Sequence, residues 1–188
     1  MDALTFRSHQ SAAILIFSVW LLLNSCAGIR EASLTTSPRS SCLIAGVPFY
    51  RQKAHQCGPA SLAGVLNYWG VNVLPRDIAR EIYSESAGGT LGIDMALYAR
   101  RRSLQACQYR SSPDDLKQRL GSGCPMIVMV DNGFWAFQQN HFMVIVGYDE
   151  NHIIANSGDD RHKSVPLQQF MKAWERTNFW ALLITPER

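Results

Sequence analysis

No charge of one sign dominates this chain of 188 residues: 18 Lys and Arg stand against 15 Asp and Glu, for a formal net charge of +3. The basic residues gather only at Arg100-Arg101-Arg102. A nucleic-acid partner, which needs a basic stripe to meet phosphates, is not expected. The triplet closes an apparent helix, where cations suit the negative end of the dipole. A Gly-rich phosphate loop is missing, so ATP use is not expected either. There is no Cys-x-x-Cys, and the five His residues lack ligand spacing, so neither a structural zinc nor another cofactor is expected. No internal repeat is visible, and no second long apolar run follows the one at residues 12–23. What remains, at 47% hydrophobic and 18% charged, is one ordinary globular domain with a short N-terminal appendage.

In the appendage, Arg7 precedes the apolar run, and Asn24, Ser25 and Cys26 follow it. The run is shorter than the ~18 to 20 residues that span a bilayer as a helix, so residues 1–25 are expected to be a cleaved secretion signal and not a membrane anchor. Leu23-Asn24-Ser25-Cys26 resembles the lipobox of bacterial lipoproteins, with Asn24 where a small residue is usual. That resemblance implies lipidation at Cys26 and an exported protein held by its lipid at a bacterial membrane, facing the periplasm. Residues 26–44, rich in Ser and Thr, then read as a flexible tether, and residues 45–188 as the folded domain. Export meets oxidising conditions, so Cys42, Cys107 and Cys124, which cannot all pair, can form at most one disulfide, with three ways to choose it.

Helical signals come first in the domain, at residues 58–69, 75–83 and 90–101. A short strand is expected at 104–109, and Ser112-Pro113-Asp114-Asp115 has the cap, the Pro and the acids that open a helix, here ending at Gly121. Residues 126–130 and 141–148 are apolar, β-branched runs that read as central strands. Asp149-Glu150-Asn151 turns the second of them into residues 152–156, giving an antiparallel hairpin. Pro166 opens a last helix to about Thr177, and residues 179–184 form a closing strand. Helices early and strands late predict an α+β domain in which a helical lobe faces an antiparallel sheet.

The chemistry centres on Cys57. Gly58 and Pro59 suit a first helical turn, and Leu62, Val65, Leu66 and Trp69 recur at the spacing of one apolar face. The unpaired N–H groups and positive dipole end there favour a thiolate over a thiol, which makes Cys57 the candidate nucleophile. A Cys that merely fills space at a helix start is the plainer alternative. A thiol nucleophile needs a base and the base needs orienting. His141 opens the most apolar strand and is the candidate base. Asn156, at the far end of the partner strand, is expected to return to the level of His141 and accept its Nδ1–H. The oxyanion of an attacked carbonyl also needs donors. Gln52 and the Cys57 N–H are the expected pair, with Gln56 a competing choice. Asp149 is a second candidate for the third member, at the other end of the hairpin. Phe134 and Trp135, in the loop before His141, either line a groove or simply pack.

Val47-Pro48-Phe49-Tyr50-Arg51-Gln52, Gln56-Cys57-Gly58-Pro59-Ala60-Ser61-Leu62 and His141-Phe142-Met143-Val144-Ile145-Val146-Gly147-Tyr148-Asp149 together resemble the bacteriocin-processing, double-glycine leader peptidase family, papain-like cysteine peptidases. The resemblance covers about residues 47–185. It implies a papain-like fold and a thiol peptidase, with Cys57 as nucleophile, His141 as general base and Gln52 as oxyanion donor. The family's third residue is usually Asp, often before Pro; Asn156 before Ser157 departs from this. Members are commonly fused to a transporter with an ATPase domain, and this chain is more similar to short, exported, lipidated members; for this chain the resemblance implies a peptide or protein substrate and no ATP. A murein-peptide hydrolase, or a non-catalytic peptide-binding lipoprotein with a degraded site, are the alternatives.

Overall fold

The segment beginning at Cys57 forms helix α1 (Cys57–Tyr68), and its surroundings differ from the one-sided face that its periodicity predicts. Residues 58–66 are all buried, because α1 runs through the middle of the domain, against the sheet on one side and other helices on another. A helix covered all round has no need of a polar face. Two glycines permit the close packing: a Cβ on Gly58 would lie 2.8 Å from Thr90 Cβ, and one on Gly64 would lie 2.9 Å from the Pro48 carbonyl oxygen.

A computed structural model describes residues 41–52, 55–135 and 137–187. The expected signal segment, the lipidation site Cys26 and most of the expected tether lie outside them, but its last residues are not a tether: Cys42–Leu43 form a strand and Ile44 is buried in the core, so the fold begins before residue 45. The other helices are α2 (Pro75–Ile82), α3 (Gly92–Arg100), α4 (Pro113–Gly121) and α5 (Leu167–Glu175). The strands are β1 (Cys42–Leu43), β2 (Tyr83–Ser84), β3 (Gly89–Thr90), β4 (Leu104–Arg110), β5 (Met126–Asp131), β6 (Asn140–Tyr148), β7 (His152–Ser157), β8 (Asp160–Pro166) and β9 (Trp180–Pro186). Helices and strands fall where their signals lie, within a residue or two at most ends. At α4 the cap is the expected one, with Ser112 Oγ accepting from the Asp115 amide at 3.1 Å.

The main sheet has the order β4-β9-β5-β6-β7-β8, and β1 pairs with the end of β6 at Gly147 and Tyr148. Every pairing is antiparallel. β2 and β3 make a separate small hairpin beside the start of α1, so α3 begins at Gly92 and not at Thr90. β8 has no forerunner in the hydrophobic pattern. It is an edge strand, mostly exposed, and Asp-Arg-His-Lys-Ser-Val-Pro carries no apolar alternation because no core covers it.

α5 covers the sheet with fully buried Phe170 and Trp174, and Trp174 Nε1 donates to the Trp180 carbonyl at 2.9 Å. The end of α1 is pinned to β9 by Trp69 Nε1, 2.8 Å from the Ile184 carbonyl. The result is the expected α+β arrangement of helices packed against an antiparallel sheet. Cys42, Cys57, Cys107 and Cys124 are all free thiols, so no disulfide joins any two of Cys42, Cys107 and Cys124.

Candidate active site

Cys57 is the first residue of α1. Its amide is therefore one of the N–H groups left without an intrahelical acceptor, and its sulfur sits at the positive end of the helix. The thiol lines a cavity of about 770 Å³ whose wall also includes Gln52, Thr90, Leu91, His141 and Gly158. Gln56, the competing oxyanion donor, is the N-cap of α1 and is not part of that wall. The sequence-predicted nucleophile, base and Gln52 thus converge on one cavity between α1, the β2–β3 hairpin and the ends of β6 and β7.

His141 is held from the sheet side. Its Nε2 lies 2.9 Å from Ser157 Oγ. With Nε2–H donating to that hydroxyl oxygen, Nδ1 carries no hydrogen and is the atom available to accept a proton. Burial pushes the imidazole below the ordinary histidine value, and the positive charge of Lys163 acts in the same direction. The ring is therefore kept neutral, the form a general base requires.

Asn156 does not reach this ring. Its partner across the hairpin is Val144, three residues along β6 from His141, and strand alternation turns residues an odd number apart to opposite faces. The Asn156 carbonyl oxygen accepts instead from the His162 amide at 3.0 Å, while its Nδ2 is buried without a partner. Ser157, one residue further, takes the place expected of Asn156. Both β6 and β7 carry register irregularities, at Ile145/Gly147 and Ala155/Ser157, so counting back from the turn could not have fixed the level. Asp149 is accounted for in the turn itself, where Oδ1 accepts from the amides of Asn151 and His152 at 2.8 Å each.

Gln52 is a strut as well as a wall residue. Its Nε2 donates to Ser61 Oγ at 3.2 Å and to the Phe142 carbonyl at 3.3 Å, and its Oε1 accepts from the Gly158 amide at 2.8 Å. A backbone bond from Gln52 N to the Gly158 carbonyl at 3.0 Å completes the link. One side chain thus ties the loop before the nucleophile to α1 and to the residues next to His141 and Ser157.

Residues 44–182 match the model of the Peptidase_C39 like family. The chain belongs to that family. It is accordingly a cysteine peptidase, a hydrolase. This C39-like peptidase is similar to the solved structure of a double glycine motif protease from an AMS/PCAT transporter in complex with the leader peptide, with a TM-score of 0.62 and 26% identity over 76% of this chain and 94% of that one. A C39-like peptidase from Bacillus anthracis has a TM-score of 0.68 at 18% identity, over 78% of this chain and 98% of that one. The Carica candamarcensis cysteine protease CMS1MS2 in complex with E-64 has a TM-score of 0.56 at 13% identity, over 79% and 99%, which makes the fold papain-like. No curated protein matches the C39-like chain by sequence.

Proposed function

We propose that this peptidase hydrolyses a peptide bond by covalent catalysis at Cys57. The observation that carries the reading is the convergence of Cys57, His141 and Gln52 on one cavity, with Ser157 fixing the ring. Nδ1 of His141 takes the thiol proton, and the thiolate attacks the carbonyl carbon to form a tetrahedral intermediate. The Cys57 N–H and Gln52 Nε2 donate to its oxyanion, Gln52 relaxing one of its two long contacts to do so. His141 returns the proton to the leaving amine, and water, deprotonated by the same ring, then hydrolyses the thioester. A neutral hydroxyl suffices as third member because the imidazolium that forms on proton transfer has the thiolate beside it as counter-charge, leaving the third residue to set tautomer and orientation.

The apolar run at residues 12–23 and the lipobox-like end at Cys26 support an exported enzyme anchored by lipid on the periplasmic face of a bacterial membrane, with the residues between Cys26 and β1 as tether. The double-glycine protease of similar fold is in complex with a leader peptide, which supports a peptide or protein substrate here. The test is a peptide-cleavage screen with the wild-type chain and Cys57→Ala, alongside labelling by iodoacetamide. Cleavage confined to the wild type, and labelling of Cys57 that falls in His141→Ala, is expected. Equal cleavage by wild type and Cys57→Ala overturns the reading.

A further inference from the structure

Among the described residues, most large apolar side chains that reach solvent are about half covered: Leu43 is 52% exposed and Leu91 47%. The loop between β5 and β6 is different. Phe134 is 87% exposed, Trp135 94% and Phe137 81%, so Phe134 and Trp135 neither line a groove nor pack. The backbone that carries them is tightly built. Asp131 Oδ1 accepts from the amides of Gly133 and Gln139 at 2.8 Å each, the Asn132 amide donates to the Gln139 carbonyl at 2.9 Å, and the Phe137 amide donates to the Phe134 carbonyl at 3.1 Å. Trp135 takes a left-handed φ of 57° at the tip, and a Cβ on Gly133 would fall 1.8 Å from the Phe137 carbonyl oxygen. At the base, Arg176 pairs with Asp131 at 3.5 Å. A closed turn with a left-handed Trp, holding three aromatic rings outward, has the features of an interaction surface.

We propose that this loop is a bilayer contact, inserting Phe134, Trp135 and Phe137 into the interface of a phospholipid membrane. Its shape favours a lipid surface over a peptide. Asn132, Gln139 and Asn140 line the catalytic cavity but none of the three aromatic residues does, and all three stand at least 81% exposed, so the tip projects away from the cavity, whereas peptides are held in grooves or along a strand edge. Its chemistry agrees: residues 132–140 contain no charged side chain, only aromatic rings flanked by amides, the composition that settles at headgroup depth where a charge is costly. A lipid at the end of a flexible tether holds the chain at the membrane but leaves the domain free to turn, and a second contact, from the domain itself, fixes it. The loop supplies that second contact if Cys26 is lipidated, and this deepens the proposed function by setting the cavity at the membrane surface.

The experiment needs no substrate. Residues 38–188 form a compact unit of their own with its own core, and can be purified without the anchor. This domain is floated with vesicles of phosphatidylethanolamine and phosphatidylglycerol, and quenching of its tryptophan emission by brominated acyl chains is recorded. The wild-type domain is expected to float and to be quenched. The triple variant Phe134→Ser, Trp135→Ser, Phe137→Ser is expected to float at least tenfold less with an unchanged melting temperature. Cys57→Ala is expected to float like wild type, so loss of the peptidase reading and loss of this one are told apart. A wild-type domain that stays with the soluble fraction overturns the proposal. So does a triple variant that floats undiminished, or one whose only change is weaker peptide cleavage, which would mark a substrate clamp.

Discussion

His141 Nε2 lies 2.9 Å from Ser157 Oγ, while Asn156, one residue earlier, gives its carbonyl oxygen to the His162 amide. A shift of one position along β7 changes which face of the sheet a side chain reaches, and therefore which residue addresses the ring. The group bonded to the ring is then a neutral hydroxyl, whose bond to the imidazole is weaker than a carboxylate's would be.

Replacing Ser157 by Ala is expected to lower kcat about tenfold, the rate equivalent of one neutral hydrogen bond of about 1.4 kcal/mol. Ser157→Asp is expected to keep or raise kcat, because a carboxylate stabilises the imidazolium that forms. Asn156→Ala removes the acceptor of the His162 amide and is expected to cost about 1 kcal/mol of stability with kcat within a factor of two or so. Steady-state kinetics and urea unfolding of the three variants check this. A larger kcat loss in Asn156→Ala than in Ser157→Ala would return the role to Asn156.

The His141 ring is held below the ordinary histidine value first by burial and then by Lys163. A depressed value means that the folded protein favours the neutral ring. The stability this contributes is present above about pH 6.5, the unfolded value, and is lost as pH falls through the lower folded value. In Cys57→Ala, where no thiol couples to the titration, the His141 Hε1 resonance is expected to titrate below about pH 6.5. Adding Lys163→Gln is expected to move the midpoint upward. No movement would show that Lys163 exerts no field at the ring.

Cys57 and His141 were legible in the sequence because each begins an element with a strong period: an apolar helix after the thiol and an apolar strand after the imidazole. Gln52 was read as an oxyanion donor from its place just before the nucleophile, but its bonds to Ser61, Phe142 and Gly158 depend on three distant segments meeting. Ser157 was hidden for two physical reasons. Its strand pairs irregularly with both neighbours, and the following strand β8 is an exposed edge without apolar alternation, so nothing in the pattern after Asn156 marks Ser157 as a paired strand residue. The presented face of the β5–β6 loop was equally hidden, since aromatic residues in a short uncharged run read the same whether buried or exposed.

Gly58 is the residue on which Thr90 rests, with 2.8 Å between the place of a Gly58 Cβ and Thr90 Cβ. Gly58→Ala is expected to push the β2–β3 hairpin off the start of α1, at a cost of about 1 to 3 kcal/mol for overpacking. Because the hairpin walls the cavity next to Cys57, peptide cleavage should fall as well. The clash is with Thr90 Cβ itself, so Thr90→Gly in the same chain is expected to restore part of both losses, whereas Thr90→Ser is not. Melting temperatures and kcat/KM of the single and double variants measure the coupling.

Gln52 carries two duties that one pair of substitutions separates. Gln52→Ala deletes the donor toward the oxyanion and also the acceptor of the Gly158 amide, so it is expected to slow cleavage and to destabilise the chain by about 1 to 3 kcal/mol, the cost of leaving buried groups unpaired. Gln52→Glu keeps an oxygen for the Gly158 amide and for the Ser61 hydroxyl but has no hydrogen to give. It is expected to retain more stability than Gln52→Ala while still lowering kcat about 10²-fold, the size of one lost oxyanion donor. If the side chain were a strut alone, kcat would follow stability across the two variants, and Gln52→Glu would be the faster enzyme in proportion. A Glu variant as slow as the Ala variant, yet measurably more resistant to urea, assigns the second hydrogen of the Gln52 amide to the transition state.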